Sequence, residues 1–174
     1  PESLYHAEQT MSSTIAVVGN PNVGKSTLFN ALTGMSQVTG NYPGVTVERK
    51  TGRLRVGTGP VQLIDLPGTY SLAANSPDEM IVADVLLGQQ AGETPVDVVL
   101  AVVDATNLER NLYLVSQLCE LNRPLVVALN MMDLARRAGI RIDVDALQRE
   151  LGVPVVSVQA HRREGIEGLK AVLE

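Results

Sequence analysis

Four short apolar runs punctuate the chain at wide intervals: Ile15–Val18, Val98–Val103, Pro124–Leu129 and Val153–Val158. Each is rich in Val or Leu and ends at a polar residue or a glycine, the form of a parallel strand covered on both faces. Between them the period changes. Leu28, Ala31 and Leu32 give Lys25–Leu32 a helical apolar face, closed by Gly34. Leu108, Leu112, Val115 and Cys119 share a second helical face, and Thr106-Asn107-Leu108-Glu109 ahead of it has capping-box spacing. Val144, Leu147 and Leu151 form a third stripe between Asp143 and Gly152, and Ile166, Leu169 and Leu173 a fourth.

Two segments interrupt the alternation of strand and helix. Thr46–Val56 and Val61–Ile64 flank Gly57-Thr58-Gly59-Pro60, which reads as a hairpin turn. The pattern predicts a three-layer α/β fold, with a mostly parallel sheet and one antiparallel edge strand. A single domain over residues 11–174 is expected. The polar residues 1–10 read as a fusion remnant ahead of a natural start at Met11.

Composition narrows the picture. Of 174 residues 45% are hydrophobic but only 3% aromatic, so the core must be aliphatic. The net charge of −5 argues against a nucleic-acid binder. Cys119 is the only cysteine, which excludes an internal disulfide and reads as core filling. No apolar run approaches the roughly 18–20 residues that span a bilayer. A soluble, reduced-compartment domain is expected.

Chemistry concentrates where the first strand ends. Gly19-Asn20-Pro21-Asn22-Val23-Gly24-Lys25-Ser26 fits G-x-x-x-x-G-K-[ST], between a strand and a helix. Such a loop turns successive backbone N–H groups toward phosphate oxygens, and the helix start adds its positive end. Asn20, Asn22, Val23, Gly24, Lys25, Ser26 and Thr27 are therefore expected around a nucleotide's phosphates. Lys25 would neutralise them, and the Ser26 hydroxyl would reach Mg²⁺. Asp65-Leu66-Pro67-Gly68 has the D-x-x-G form, with Asp65 facing Mg²⁺ and the Gly68 N–H facing the terminal phosphate.

The base is read further on. Asn130-Met131-Met132-Asp133 fits [NT]-[KM]-x-D, and the Asp133 carboxylate can accept from both N1–H and the 2-amino group of guanine. Adenine would leave that charge unpaired. In Val158-Gln159-Ala160-His161 the Ala160 N–H would be expected to meet guanine O6. Gln159 departs from the serine usual there, and His161 reads as a solvated loop residue.

Together, Gly19–Asn22, Asn41-Tyr42-Pro43-Gly44-Val45-Thr46-Val47-Glu48, Asp65-Leu66-Pro67-Gly68-Thr69-Tyr70-Ser71-Leu72 and Asn130–Asp133 resemble the N-terminal GTPase domain of the ferrous iron transport protein B (FeoB) family, from about Thr14 to Leu173. The resemblance implies a GTP- and GDP-binding P-loop GTPase domain on the cytoplasmic side of the inner membrane. It would regulate Fe²⁺ passage through an attached permease. Its partners would be the protein's own helical regulatory and transmembrane regions and small accessory proteins of the same transport system, with oligomers formed through the full-length protein.

Within that resemblance Thr46 falls in switch I, where it would reach Mg²⁺ and the terminal phosphate, and Met35–Val45 is expected as a mobile lid. Gly68–Asp78 would be switch II, with Thr69 and Ser71 free to rearrange. Thr69 stands where many GTPases carry the glutamine that orients water, which predicts slow turnover. Asn22 matches the asparagine that helps hold K⁺ in K⁺-activated GTPases. Lys25, Asn22, Thr46 and Gly68 are thus the expected catalytic set. Two alternatives stand beside this reading: a binding switch with negligible hydrolysis, and a ribosome-assembly GTPase, which shares the loop Asn20–Asn30 but usually adds a basic domain.

Overall fold

A computed structural model describes residues 13–174. The expectation of a remnant at residues 1–10 with a start at Met11 lies outside the described residues. In chain order the strands are β1 (Thr14–Gly19), β2 (Gln37–Asn41), β3 (Glu48–Val56), β4 (Gly59–Asp65), β5 (Val98–Asp104), β6 (Leu125–Asn130) and β7 (Val155–Ser157). The helices are α1 (Lys25–Thr33), α2 (Pro77–Leu87), α3 (Leu108–Cys119), α4 (Met132–Arg137), α5 (Val144–Leu151) and α6 (Ile166–Val172).

The sheet runs β2-β3-β4-β1-β5-β6-β7. Only β3 runs against its neighbours, pairing antiparallel with both β2 and β4. The outermost strand on that side is therefore β2 rather than the hairpin strand read from the sequence. Its residues Gln37–Asn41 are mostly exposed and carry no apolar alternation, so burial left no mark on them. Pairing of Val56 with Gly59 tightens the hairpin to a two-residue turn, Gly57-Thr58.

Alternation of side chains on β1 divides the core. Ile15 and Val17 pack with Leu28, Phe29 and Leu32 of α1 and Leu169 of α6. Ala16 and Val18 face Val82 and Leu86 of α2 and Leu114 and Leu118 of α3 on the other side. Sandwiched between helical layers, the central strands could be apolar at every position, which is why they were legible.

Helix ends follow local chemistry. The Asp143 side chain accepts from the Ala146 N–H at 2.9 Å, and Gly152 closes α5 in the left-handed region, as expected. At α3 the expected capping box is not formed: Asn107 stands at the N-cap and makes no side-chain capping bond. Upstream, the Asp104 side chain accepts from the Thr106 N–H at 2.8 Å and caps a 3₁₀ turn that leads into the helix. The short carboxylate at the strand end reaches this amide first. Helix α2 was not read from the sequence, although Ser76-Pro77-Asp78-Glu79 is a strong start: Ser76 Oγ accepts from the Glu79 N–H, and Pro77 fills the first turn.

The segment expected as a mobile lid is pinned at Tyr42. Its ring is 1% exposed and packs beside Val47 and Leu66, while its N–H donates to the Val47 carbonyl at 3.0 Å. The Tyr42 hydroxyl is buried without a protein partner. Burial, with the nearby Glu93 charge second, pushes its ionisation far above the ordinary tyrosine range. Removing a stranded hydroxyl while keeping the ring leaves packing intact. Tyr42→Phe is therefore expected to unfold at the same temperature as the wild type or slightly higher, a gain of at most about 1 kcal/mol. A clear loss in thermal unfolding would mean that the hydroxyl bonds to something essential.

Candidate nucleotide site

Strands β1, β4, β5, β6 and β7 run parallel, so their carboxyl ends meet at one edge of the sheet. The chain order reverses at β1, with β4 on one side and β5 on the other. A crevice opens at such a switch point, and the glycine-rich loop falls there. Loops after β1, β4, β6 and β7 bring together Asn20–Thr27, Asp65–Gly68, Asn130–Asp133 and Ala160.

The phosphate loop is shaped by backbone geometry that few residues accept. Asn22 and Gly24 have φ of 65° and 84°. A Cβ on Gly24 would also stand 2.3 Å from Asn130 Nδ2, so this position excludes any side chain. Gly24 begins α1 without a side-chain cap, which leaves the helix's first amides facing the crevice. Asn20, Pro21, Asn22, Gly24, Lys25, Ser26, Thr27 and Gly68 line a cavity of about 360 Å³ here. Gly68 comes so close to Pro21 that a Cβ would lie 3.1 Å from the Pro21 Cα.

A second cleft of about 290 Å³ adjoins it, sharing Lys25 and Ser26 and adding Glu48, Lys50, Asp65, Pro67 and Asp78. Lys25 Nζ and Asp65 Oδ1 form an ion pair within it. Hydroxyl and carboxylate oxygens are hard ligands, so Ser26 and Asp65 fit Mg²⁺ by donor type. Asn22, exposed at the lip of the phosphate cavity, offers a carboxamide oxygen that fits a monovalent cation. Thr46 is exposed, and its neighbours Val47 and Glu48 line the cleft in its place. Among the described residues no group of three His, Cys, Asp or Glu could hold a metal ion.

The segment Gly68–Asp78, expected as switch II, is tied down more firmly than the sequence suggested. Thr69 is 1% exposed; its N–H donates to the Gly19 carbonyl at 3.0 Å and its hydroxyl to the Ser71 carbonyl at 2.6 Å. It is thus turned inward rather than free. From α3, Gln117 Oε1 accepts the Leu72 N–H at 2.8 Å, and the Arg110 guanidinium stacks 4.2 Å from the Tyr70 ring centre. Neither α3 residue was singled out by the sequence, because both contacts join segments some forty residues apart.

The base loops are joined by Asn130, which is 3% exposed. Its Nδ2 donates to the Val23 carbonyl at 3.0 Å, and its Oδ1 accepts from the Ala160 N–H at 3.1 Å. Ala160 is therefore buried with its N–H directed at Asn130, rather than free for guanine O6 as the sequence suggested. Asn130 in turn acts as a staple between three loops. Gly24, Thr27, Asn130, Met131, Asp133, Arg137, Ala160 and His161 are among the residues around a cavity of about 330 Å³. Asp133 Oδ1 and Gln159 Oε1 are buried with no partner. His161, read as a solvated loop residue, stands half exposed with its Nε2 3.9 Å from Asp133 Oδ2.

A glycine-rich loop at the switch point, a carboxylate at the end of β4 and an acidic loop after β6 define a P-loop domain of the GTPase fold. Residues 13–173 match the family model described as Ferrous iron transport protein B. The chain is 52% identical over 165 residues to the Fe(2+) transporter FeoB of Salmonella typhimurium, covering 92% of this chain and 21% of that protein. The cytosolic domain of L. pneumophila FeoB superposes with a TM-score of 0.86 at 48% identity, over 92% of this chain and 67% of that one. For the cytosolic domain of the T. maritima FeoB iron transporter in its GMPPNP form the values are 0.84 and 41%, over 92% and 62%. The same T. maritima domain is also known in a GDP form.

The chain belongs to the ferrous iron transport protein B family. It spans about a fifth of the length of the curated relatives it matches. No helix among the described residues is long and apolar enough to cross a membrane.

Proposed function

We propose that this domain binds GTP and GDP, hydrolyses GTP slowly, and regulates Fe²⁺ passage through a membrane permease of which it is the cytoplasmic part. The observation that carries the nucleotide reading is Asp133 Oδ1, buried and without a partner beside a cavity that shares Gly24 and Thr27 with the phosphate loop. A stranded carboxylate oxygen is costly, and guanine supplies the paired N–H donors that satisfy it. Forms of the T. maritima relative with GDP and GMPPNP support the same ligand class.

Within the site each residue has a definable task. The first amides of α1 and the Lys25 ammonium hold and neutralise the phosphate oxygens, exchanging the Lys25–Asp65 pair for the nucleotide. Ser26 and Asp65, joined by Thr46 when switch I closes, would hold Mg²⁺, which when bound offsets charge on the terminal phosphates. Gly68 leaves room for its N–H to approach the terminal phosphate. Thr69 cannot orient an attacking water while it is buried, which favours slow turnover and keeps open a binding switch with little hydrolysis. Asn22 would place K⁺ beside the phosphates and supply a charge that no arginine lining the phosphate cavity or the adjoining cleft provides. The helical and transmembrane regions and small accessory proteins of the transport system are the proposed partners, and the inner membrane's cytoplasmic face the proposed location.

The test is GTP turnover by the purified domain in KCl and in NaCl at equal ionic strength, with ATP as control. Phosphate release from GTP that rises in KCl is expected. Asn22→Ala is expected to lose the K⁺ stimulation while still binding GDP. Stimulation retained in this variant would remove Asn22 from the cation site. Tight GDP binding without turnover in either salt would favour the binding switch.

A further inference from the structure

We infer that His161 is an affinity-determining residue of the base site, a proton-controlled competitor for Asp133 that weakens guanine-nucleotide binding on acidification. The inference rests on the guanine reading of Asp133. Asp133 presents two oxygens with different surroundings: Oδ1 is buried and unpartnered, and Oδ2 lies 3.9 Å from His161 Nε2. Guanine approaches with N1–H and an amino N–H side by side, so it needs both oxygens. A neutral imidazole at 3.9 Å makes no hydrogen bond and leaves Oδ2 available. An imidazolium at the same place is an ion-pair partner, and a small rotation gives it a charge-assisted bond to the oxygen that guanine must occupy.

Among the residues lining this cavity the other charges are fixed. Arg137 of α4 and Arg162, next to His161 in the same turn, line the cavity and remain cationic at any working pH. The phosphate-loop side contributes Gly24 and Thr27, which do not titrate, and Lys25 is paired with Asp65. Among these lining side chains histidine is the type that gains charge in mildly acidic solution. Its side chain is 53% exposed, so solvent screens the interaction and limits its size.

The experiment is equilibrium binding of GDP with Mg²⁺ to the wild type, His161→Gln and His161→Arg at about pH 8 and about pH 5.5. Each protein is scored by its own ratio of affinities, which cancels protonation of the GDP phosphate. The wild-type ratio is expected to exceed those of both variants by roughly three- to five-fold, the scale of an exposed ion pair. His161→Arg, permanently charged, is also expected to bind more weakly than His161→Gln at about pH 8. Equal ratios in all three proteins would overturn the inference while leaving the guanine site standing. No GDP binding by the wild type at either pH would overturn the guanine reading and this inference together.

Discussion

Asp133→Asn is expected to weaken GDP binding by roughly 10²-fold, the largest loss of affinity from any single side chain at the base site. In the proposed guanine site the carboxylate would offer two acceptors and a negative charge, and hydrogen bonds to charged groups contribute about 1.5–3 kcal/mol each. An amide keeps one acceptor but turns an NH₂ toward one of the guanine N–H donors. One bond becomes a clash of donors and the other loses its charge, for a net cost of about 3 kcal/mol. The same amide can donate to a base carrying a carbonyl at position 2, so xanthosine diphosphate should gain affinity as GDP loses it. Competition binding with GDP, XDP and ADP measures all three at once. An unchanged preference for GDP would mean that Asp133 does not read the base. Folding should survive, because Oδ1 has no protein partner to lose.

Asn130→Ala is expected to act in the opposite way, on stability first. Asn130 lies on the last residue of β6 and reaches across to β1's loop and to the loop after β7. Truncation strands the buried Val23 carbonyl and Ala160 N–H, each worth about 1–3 kcal/mol, with some relief from entering water. A loss of about 3 kcal/mol should lower the unfolding temperature by roughly 6–12 °C in a domain of this size. GDP affinity should fall as well, because the phosphate loop and the base loop are no longer held in register. Asn130→Asp discriminates staple from bulk: it keeps the acceptor for Ala160 but sets a carboxylate against the Val23 carbonyl. It should therefore be destabilised too. Thermal unfolding of both variants checks this, and a change below about 2 °C in Asn130→Ala would remove the staple.

These two residues sit three apart in one motif, and the sequence singled out both. It did not separate their tasks. The spacing Asn130-Met131-Met132-Asp133 marks a base loop, but Asn130 is directed at the protein and Asp133 at the cavity. That division depends on which way β6 presents its last side chain, and on where Val23 and Ala160 lie in space. His161 was passed over for the same reason, since its meaning comes from Asp133, 28 positions earlier and on another loop. Thr69 was recognised as a departure from the usual glutamine, yet its inward turn follows from a bond to Gly19 that spacing cannot reveal.

By itself the sequence determined the parts that repeat with a period or stand at fixed spacing. The buried strands were legible because a sheet covered on both faces must be apolar throughout. The phosphate loop was legible because only glycine tolerates its tight positive-φ turn at Gly24, and the family was legible in four motifs taken together. Only the tertiary structure decided what depends on neighbours distant in the chain. Strand β2 has no burial pattern because it lies at the sheet's edge, and it exists because β3 offers it a free row of backbone groups. Lys25 meets Asp65, Arg110 meets Tyr70 and Asn130 joins two loops because parallel strands bring their carboxyl ends to one edge. Periodicity reports how a residue faces its own element, whereas a binding site is made where several elements end.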